Sequence, residues 1–489
     1  MTPGRDDARH RMTATSARPS GAGNPDSRAE RGRPGPLLWI AAAATVLVFL
    51  GHDARRLSAP FGPSHDGFNA ALFMTGGRAI VEEGPIESRL GASSRTLFGD
   101  RVVYAHHPPL IYLASALAFT LPGPVEARAR LPAVVSGLAV LFFTVILLHH
   151  SGLGPGAAAV GLLFAFGTPM FFVFGAMTEP DVLGLAPMTG LTLLWQRSRR
   201  GVDAPLWALG SAAAAGALTS WQASLFSALV GTALLLERRR SAAAAVLLGT
   251  AVGAVLTGLW MLWAYQGDVR EFIDRARLRA GAGDSDRVSI LQAARQQLRY
   301  LRDLFPVGSW LVVAVAGLGL LDRRTRPLVA VSLGTVLGYA VVFKNGAYDH
   351  SYWLYCLLLP LPLGAAVAAD AVSRWLARHR LPRLAPAAFA APLVVALALT
   401  VWRPSNDQGQ NRIGAALGAQ ARAIDWPGGQ RYAYHTFGGD GYTDLLPWLR
   451  FYARREPFGI DGPASVPQGQ VVLRLVDGRL RADPGERQP

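Results

Sequence analysis

The chain alternates between long apolar runs and short polar intervals that are rich in arginine. Most runs carry almost no ionisable residue near their centres, which predicts helices that cross a lipid bilayer. Several runs are shorter than the ~20 residues of a perpendicular span, so their ends are expected to extend into the polar flanks. The candidate spans are residues 37–50, 131–148, 154–175, 181–195, 204–219, 221–236, 242–265, 307–321, 327–343, 351–369 and 384–402. This pattern predicts an all-α polytopic membrane protein with about 11 transmembrane helices.

One further apolar run, residues 110–121, lies between Pro109 and Pro122 and is too short to be a span. As a helix it reaches ~18 Å, whereas the hydrocarbon core of a bilayer is ~30 Å thick. We therefore interpret it as a re-entrant or interfacial helix. With this assignment the N-terminal tail and every strong basic cluster between spans fall on one side, which the positive-inside rule makes cytoplasmic. These clusters are residues 149–150, 197–200, 237–240, 322–326 and 374–383.

The same pattern divides the chain into three parts. Residues 1–36 are rich in Arg, Pro, Gly, Ser and Asp, which predicts a disordered cytoplasmic tail. Residues 37–402 form the transmembrane domain, with a long first extracytoplasmic loop at 51–130. Residues 403–489 are predicted to be a small extracytoplasmic α/β appendage, with helices at 411–425 and 444–455 and strands at 432–437 and 471–476.

Composition agrees with a membrane protein. The chain is 51% hydrophobic and only 17% charged, whereas soluble proteins carry about 25% charged residues. The net charge of +15 would suggest nucleic acid in a soluble protein, but here the arginines lie between the spans, where they set membrane orientation. We therefore expect membrane lipids, and no nucleic acid, as partners. The single cysteine, Cys356, excludes an intrachain disulfide and a cysteine metal cluster.

An extracytoplasmic loop at residues 266–306 departs from this charge rule because it contains many arginines. Acidic residues alternate with them, which is typical of amphipathic surface helices. A more specific interpretation is a cationic wall beside an anionic lipid head group.

The acids and histidines lie at the ends of spans, on one predicted face, rather than at membrane depth. This distribution favours an enzyme that works at the outer interface over an ion-coupled transporter. Asp66, in the first loop, is the candidate general base that would deprotonate an acceptor hydroxyl. The alternative is that Asp66 serves as a helix N-cap, and one residue can do both.

Two further groups in these loops could carry chemistry. Glu179 and Asp181 flank Pro180 in an outer turn and could bind a divalent cation or a polar acceptor. The alternative is a solvated turn, with Asp181 stabilising the start of the next span. His106 and His107 precede a rigid Pro-Pro pair and could contact a phosphate or a metal, or act as interfacial polar anchors.

A late segment adds a cation and an aromatic cluster. Lys344, the only lysine of the chain, lies at the outer end of a span and could bind a phosphate, or simply extend towards the interface. Tyr348, His350 and Tyr352 follow it. Such residues form an aromatic belt at a membrane surface, and they could also contact a sugar or a lipid.

Taken in order, these stretches resemble the GT-C superfamily of integral-membrane glycosyltransferases, in particular the bacterial protein-mannosyltransferase and aminoarabinose-transferase group. The resemblance rests on HDGFNAALFMTGGRAIVEEG (65–84), HHPPLIYL (106–113), EARARLPAVVSGLAVL (126–141), TEPD (178–181), DHSYWLYCLLLPLP (349–362) and FYARR (451–455). It implies inverting transfer of a sugar from a polyprenyl-phosphate-linked donor at the extracytoplasmic face, with Asp66 as the base. Two positions depart from the family pattern: Gly67 replaces a second acid, and His107 replaces a lysine before the Pro-Pro pair.

A lipid phosphate is stable as an anion, so it leaves with the help of positive charge rather than of a general acid. Lys344, His107, Arg130 or arginines of the 270–302 stretch could supply that charge. The acceptor could be a lipid, a glycan or a protein. The resemblance leaves a divalent cation, Mg²⁺ or Mn²⁺, open. It places the chain in the bacterial inner membrane, with a cytoplasmic N-terminus and an extracytoplasmic active site and C-terminus. A flippase or transporter of lipid-linked glycans and a non-catalytic scaffold of envelope assembly are the alternatives.

Overall fold

The computed structural model describes residues 35–54, 56–61, 65–95, 101–202, 204–282, 288–305, 308–379, 432–435, 458–460, 471–476 and 479–484. Its helices are α1 (Pro36–Ala54), α2 (His65–Glu83), α3 (Leu110–Phe119), α4 (Val125–His150), α5 (Pro155–Phe166), α6 (Pro169–Phe174), α7 (Pro180–Arg199), α8 (Leu206–Thr219), α9 (Trp221–Leu236), α10 (Arg240–Ala264), α11 (Arg270–Ala280), α12 (Ile290–Leu304), α13 (Ser309–Leu318), α14 (Arg326–Val342), α15 (Lys344–Asp349) and α16 (Pro360–Arg378). A 3₁₀ helix, Ser351–Leu358, lies between α15 and α16. The predicted all-α membrane architecture is confirmed.

The number of spans stays a prediction. Among the described residues, α1, α4 and α10 are each long and apolar enough to cross a membrane, and two bent helix pairs raise the number to five. The other predicted spans correspond to shorter apolar helices or, at 181–195, to α7. The last one, 384–402, lies outside the described residues.

Prolines break two of the predicted spans. The run 154–175 becomes α5 and α6, because Pro169 lacks the N–H that would continue α5. The run 351–369 becomes the 3₁₀ helix and α16, which begins at Pro360 and is bent by 48° from it. The hydrophobic pattern identifies an apolar segment, but it does not show where a proline interrupts the helix.

The first loop contains α2 and α3, which pack closely against each other. A Cβ atom at Gly77 of α2 would lie 2.6 Å from the backbone carbon of Ser115 in α3, so only glycine allows this approach. At 10 residues, α3 is ~15 Å long. This length agrees with the interpretation of 110–121 as a helix that does not cross.

Polar residues gather at opposite ends of α4, whose 26 residues extend ~39 Å. At its C-terminal end, the basic clusters meet. Arg199 donates to the carbonyl of Arg324 at 2.9 Å, and Arg324 donates to that of Gly152 at 2.6 Å. Arg239 donates to the carbonyl of Ser198 at 2.6 Å. We call residues 149–152, 196–200, 237–240 and 322–326 the basic end.

The described residues also include six β-strands. In the first loop, β1 (Ser93–Arg95) and β2 (Arg101–Val103) pair in antiparallel fashion. Near the C-terminus, β3 (Tyr432–His435), β4 (Phe458–Ile460), β5 (Val471–Val476) and β6 (Arg479–Pro484) form a sheet in the order β4-β3-β5-β6. The strands predicted at 432–437 and 471–476 correspond to β3 and β5, whereas β4 and β6 were not predicted. The predicted helices at 411–425 and 444–455, with the FYARR stretch, lie outside the described residues.

Candidate active site

Asp66 lies in the first turn of α2 and is bound by a buried arginine of α4. Arg130 donates to Oδ2 of Asp66 through Nε at 3.0 Å and through Nη2 at 2.8 Å. Arg130 is fully buried and Asp66 is 6% exposed. Oδ1 of Asp66 is buried and has no hydrogen-bond partner among the described residues. The ion pair with Arg130 therefore holds Oδ2 of Asp66 in place and leaves Oδ1 available to a hydrogen-bond donor.

The contacts of Arg130 favour a role beside Asp66 over the predicted phosphate binding. Its Nη1 donates to the carbonyls of Leu57 at 3.0 Å and Ala59 at 2.6 Å, and its other two nitrogens bind Asp66. These bonds commit most of the N–H donors of a buried guanidinium to the protein itself. Phosphate binding by Arg130 stays a prediction, and its contacts support a role in positioning Asp66.

Glu179 and Asp181 are buried, so the turn between them is not solvated. Glu179 caps α7, with Oε2 accepting from the backbone N–H of Asp181 at 2.7 Å and of Val182 at 3.2 Å. Asp181 accepts a short hydrogen bond from the hydroxyl of Ser220, the N-cap of α9. Burial and then the neighbouring charge of Asp181 raise the pKa of Glu179 well above its usual value. The pair thus joins the starts of α7 and α9.

His106 and His107 are buried beneath α11. Burial, followed by the charges of Arg279 and Arg275, lowers the pKa of His106 to about 3. Burial and then Arg279 also lower the pKa of His107 well below its usual value. Both rings are therefore neutral at neutral pH and can offer hydrogen bonds but no charge. Oε1 of Glu271 lies 3.4 Å from Nε2 of His106.

Arg279, in the last turn of α11, is the cation on which these groups converge. Its charge acts on His106 and His107, and it also acts on Glu179 and Asp181. The side chain of Arg279 is half-buried. Its charge thus reaches polar residues of three separate segments, 106–107, 179–181 and 350–352. No local feature distinguishes Arg279 from the other arginines of the 266–306 loop, because only the folded chain brings it to the acids.

The aromatic segment joins this region to Asp66. The ring of Tyr352 lies 5.8 Å from that of His65, the residue before Asp66, and 5.0 Å from that of His350. Tyr352 also interacts electrostatically with Glu179 and Asp181. Burial, then the charge of Arg279, lowers the pKa of His350 to about 3. Tyr352 therefore lies near the start of α2, beside His65, and within electrostatic reach of the acid pair.

Tyr348 and Lys344 lie further out. Tyr348 is 38% exposed, and its carbonyl accepts from the hydroxyl of Tyr300 in α12 at 2.9 Å. Lys344 packs against Gly281, the left-handed C-cap of α11, where an added Cβ would lie 2.6 Å from its Cε. Lys344 thus contacts the end of the helix that carries Arg279.

The predicted divalent cation stays a prediction. No group of three or more His, Cys, Asp or Glu side chains able to hold a metal is found among the described residues. The two acids of the E-x-D turn are committed to protein groups through Oε2 of Glu179 and Oδ1 of Asp181. No step below is therefore assigned to Mg²⁺ or Mn²⁺.

Known structures provide a fold-level comparison. No protein-family model matches the chain, and no curated protein matches it in sequence. ArnT from Cupriavidus metallidurans bound to undecaprenyl phosphate matches with a TM-score of 0.57 and 14% identity, over 87% of this chain and 86% of ArnT. The apo form of ArnT matches with a TM-score of 0.54 and 14% identity over the same shares.

An oligosaccharyltransferase from Archaeoglobus fulgidus, in complex with Zn and sulfate, has a TM-score of 0.53 and 13% identity. The match covers 87% of this chain and 62% of the archaeal protein. The chain thus shares the fold of ArnT and of this oligosaccharyltransferase, which confirms the predicted fold class.

Proposed function

We propose that the protein is a membrane glycosyltransferase that moves a sugar from a polyprenyl-phosphate-linked donor to an acceptor hydroxyl, with inversion. The observation that carries the proposal is the state of Asp66. Oδ2 is held by two hydrogen bonds from Arg130, whereas the buried Oδ1 has no partner among the described residues. A fixed carboxylate with one uncommitted oxygen is the arrangement that a general base requires.

In this mechanism the acceptor hydroxyl donates a hydrogen bond to Oδ1 of Asp66 and transfers its proton there as it attacks the anomeric carbon. The bond between that carbon and the phosphate oxygen breaks, and the electron pair leaves with the lipid phosphate. A positioned base contributes about 10²–10⁴-fold to such a step. Arg130 keeps Asp66 in the geometry that this contribution needs.

Arg279 is our candidate for stabilising the leaving phosphate. Its side chain is half-buried, and its charge reaches the histidines and the acids. Guanidinium groups bind phosphate oxygens through two parallel hydrogen bonds. The neutral His106 and His107 would add hydrogen bonds to the same phosphate. The ArnT structure with undecaprenyl phosphate supports this class of donor.

The remaining site residues are assigned to the second substrate. We assign Glu179 and Asp181 to the acceptor, because both interact electrostatically with Tyr352, whose ring lies 5.8 Å from that of His65 beside Asp66. His350 and Tyr352 would contact the sugar or its lipid through their ring faces. Lys344 remains a candidate for the outer part of the donor phosphate site, beside α11. Whether the acceptor is a lipid, a glycan or a protein is left open by this assignment.

The proposed orientation follows from the two ends of α4. The basic end gathers arginines from three loops, and the positive-inside rule favours a cytoplasmic position for it. Asp66 and Arg130 lie at the opposite end, which would then face the extracytoplasmic side. In this arrangement the N-terminal tail is cytoplasmic, residues 37–402 form the catalytic membrane domain, and residues 403–489 form an extracytoplasmic appendage.

Substitution of Asp66 tests the proposal. We expect Asp66→Asn to reduce sugar transfer from a polyprenyl-phosphate sugar to membrane acceptors by at least about 10²-fold. Binding of polyprenyl phosphate should be retained, because the variant leaves Arg279 in place. The matched control is Asp268→Asn, since the side chain of Asp268 is 58% exposed and pairs with Arg270. Full activity of a folded Asp66→Asn variant would refute the assignment of the base and favour a scaffold or a transporter.

A further inference from the structure

Asp53, at the end of α1, is a second buried acid near the proposed base. It is fully buried, and its Oδ2 has no hydrogen-bond partner among the described residues. Its Oδ1 lies 3.2 Å from Nδ1 of His52, whose side chain is 16% exposed. The charge of Arg56 offsets part of the cost of burying this carboxylate, but an oxygen without a hydrogen-bond partner in the described part of the chain remains.

A short chain of bonds connects Asp53 with Asp66. The carbonyl of Asp53 accepts from the backbone N–H of Leu57 at 2.7 Å. The carbonyl of Leu57 accepts from Nη1 of Arg130 at 3.0 Å, and Arg130 binds Asp66. The two carboxylates also interact electrostatically. Asp53 is therefore connected to the Asp66–Arg130 pair through the end of α1.

Two uncommitted oxygens thus belong to neighbouring buried acids, Oδ2 of Asp53 and Oδ1 of Asp66. The hydroxyl of Tyr355 is also buried without a partner among the described residues, and it interacts electrostatically with Asp53. Polar groups arranged in this way are bridged by ordered water in proteins. Such water would give the two carboxylates a path for a proton.

The proposed reaction creates a need for that path. Each transfer leaves one proton on Oδ1 of Asp66, and Oδ2 cannot take it because Arg130 occupies that oxygen. The lipid phosphate leaves with the electron pair and does not need the proton as it departs. The base must therefore release the proton to solvent before the next turnover.

Building on the proposed function, we propose that Asp53 and His52 form the exit path for this proton. The proton passes from Oδ1 of Asp66 through water to Oδ2 of Asp53. Rotation of the protonated carboxyl group then presents this proton to Nδ1 of His52, and Asp53 returns to its carboxylate form. His52 releases it at the protein surface, where its ring is partly exposed. The net change is one proton delivered to solvent per sugar transferred. Asp53 and His52 do not touch the substrate, so they act only through Asp66.

Rapid-mixing kinetics of the full-length protein test the relay with Asp53→Asn, a substitution that preserves the shape of the side chain. We expect a first turnover at the wild-type rate, because Asp66 has not yet received a proton from an acceptor, followed by a steady state slower by roughly tenfold or more. His52→Ala should show the same burst, and added imidazole should restore its steady-state rate. A merely structural role would not separate the first turnover from later ones.

The outcomes distinguish the relay from the proposed function. Asp66→Asn should lack the burst as well as the steady state, and an active Asp66→Asn variant would overturn the proposed function itself. If Asp66→Asn is inactive while Asp53→Asn keeps the wild-type steady-state rate, the relay is refuted and the function stands. A folded Asp53→Asn variant that loses its first turnover would also refute the relay.

Discussion

Removing the charge of Arg130 should destabilise the protein through one identifiable group, the carboxylate of Asp66. In Arg130→Met the side chain keeps a similar length, but Oδ2 of Asp66 loses hydrogen bonds of 3.0 and 2.8 Å. The carbonyls of Leu57 and Ala59 lose their partner as well. Removing one member of a buried ion pair costs about 3–5 kcal/mol. We therefore expect a loss of this size in the free energy of unfolding.

A double-mutant cycle isolates the pair. Once Asp66→Asn removes the negative charge, Arg130→Met no longer leaves a buried carboxylate unpaired. The double variant should then be more stable than the sum of the two single losses predicts, by about 1–3 kcal/mol. The measurement is denaturant unfolding of the purified protein in detergent. Additive losses within about 0.5 kcal/mol would refute the coupling.

A nearby arginine provides the control. Arg128, also in α4, donates to the carbonyls of Phe119 and Leu121 rather than to a carboxylate. Arg128→Met should therefore cost clearly less than Arg130→Met. Arg130→Met should also reduce transfer activity, because a displacement of ~1 Å at a catalytic group can cost about 10²-fold. Equal losses of stability for the two variants would show that the carboxylate is not the cause.

Two further predictions concern Arg279 and His106. Arg279→Gln should raise KM for the polyprenyl-phosphate sugar by roughly tenfold or more, because a charge-assisted contact with phosphate contributes about 1.5–3 kcal/mol. Arg277→Gln, at a side chain that is 69% exposed, should leave KM unchanged, and equal effects of the two would contradict the assignment. Acid should destabilise the protein through His106, whose pKa is lowered from 6.5 to about 3. Above pH 6.5 this histidine costs the folded state nothing. As the pH falls from 6.5 towards 3, protonation of His106 in the unfolded state lowers the free energy of unfolding, by about 2 kcal/mol at pH 5. Unfolding of wild type and His106→Asn at pH 7 and pH 5 measures this loss, and an identical pH dependence in the two proteins would count against it.

Local patterns were sufficient to predict the class of fold and the residues at its polar end. Asp66, His107 and Asp181 stand in short polar intervals between apolar runs, and such intervals must emerge from the membrane. The length of residues 110–121 likewise identified a short helix, which the structure shows as α3. These conclusions depend only on hydrophobicity, segment length and charge, all of which are local properties.

Long-range packing was not predictable in the same way. Arg130 pairs with an acid 64 positions away, and its sequence context suggested phosphate binding instead. Arg279 is one of several arginines in its loop, and only the position of α11 brings its charge to the acids. Asp53 follows an apolar run and looked like an ordinary polar flank, because nothing local indicates that it is buried beside Asp66. Each of these roles depends on contacts between distant segments, which one sequence does not specify.

The short helix α15 contacts both α11 and α12. These contacts have a consequence for the binding of the proposed substrates. Lys344, at its start, packs against Gly281 of the α11 cap, and Tyr300 of α12 donates to the carbonyl of Tyr348 near its end. The chain continues directly from α15 to His350. A ligand that shifts α11 therefore also shifts the aromatic segment beside Asp66. We expect the affinities for the two substrates to be thermodynamically linked, so that each one changes the affinity for the other by the same factor.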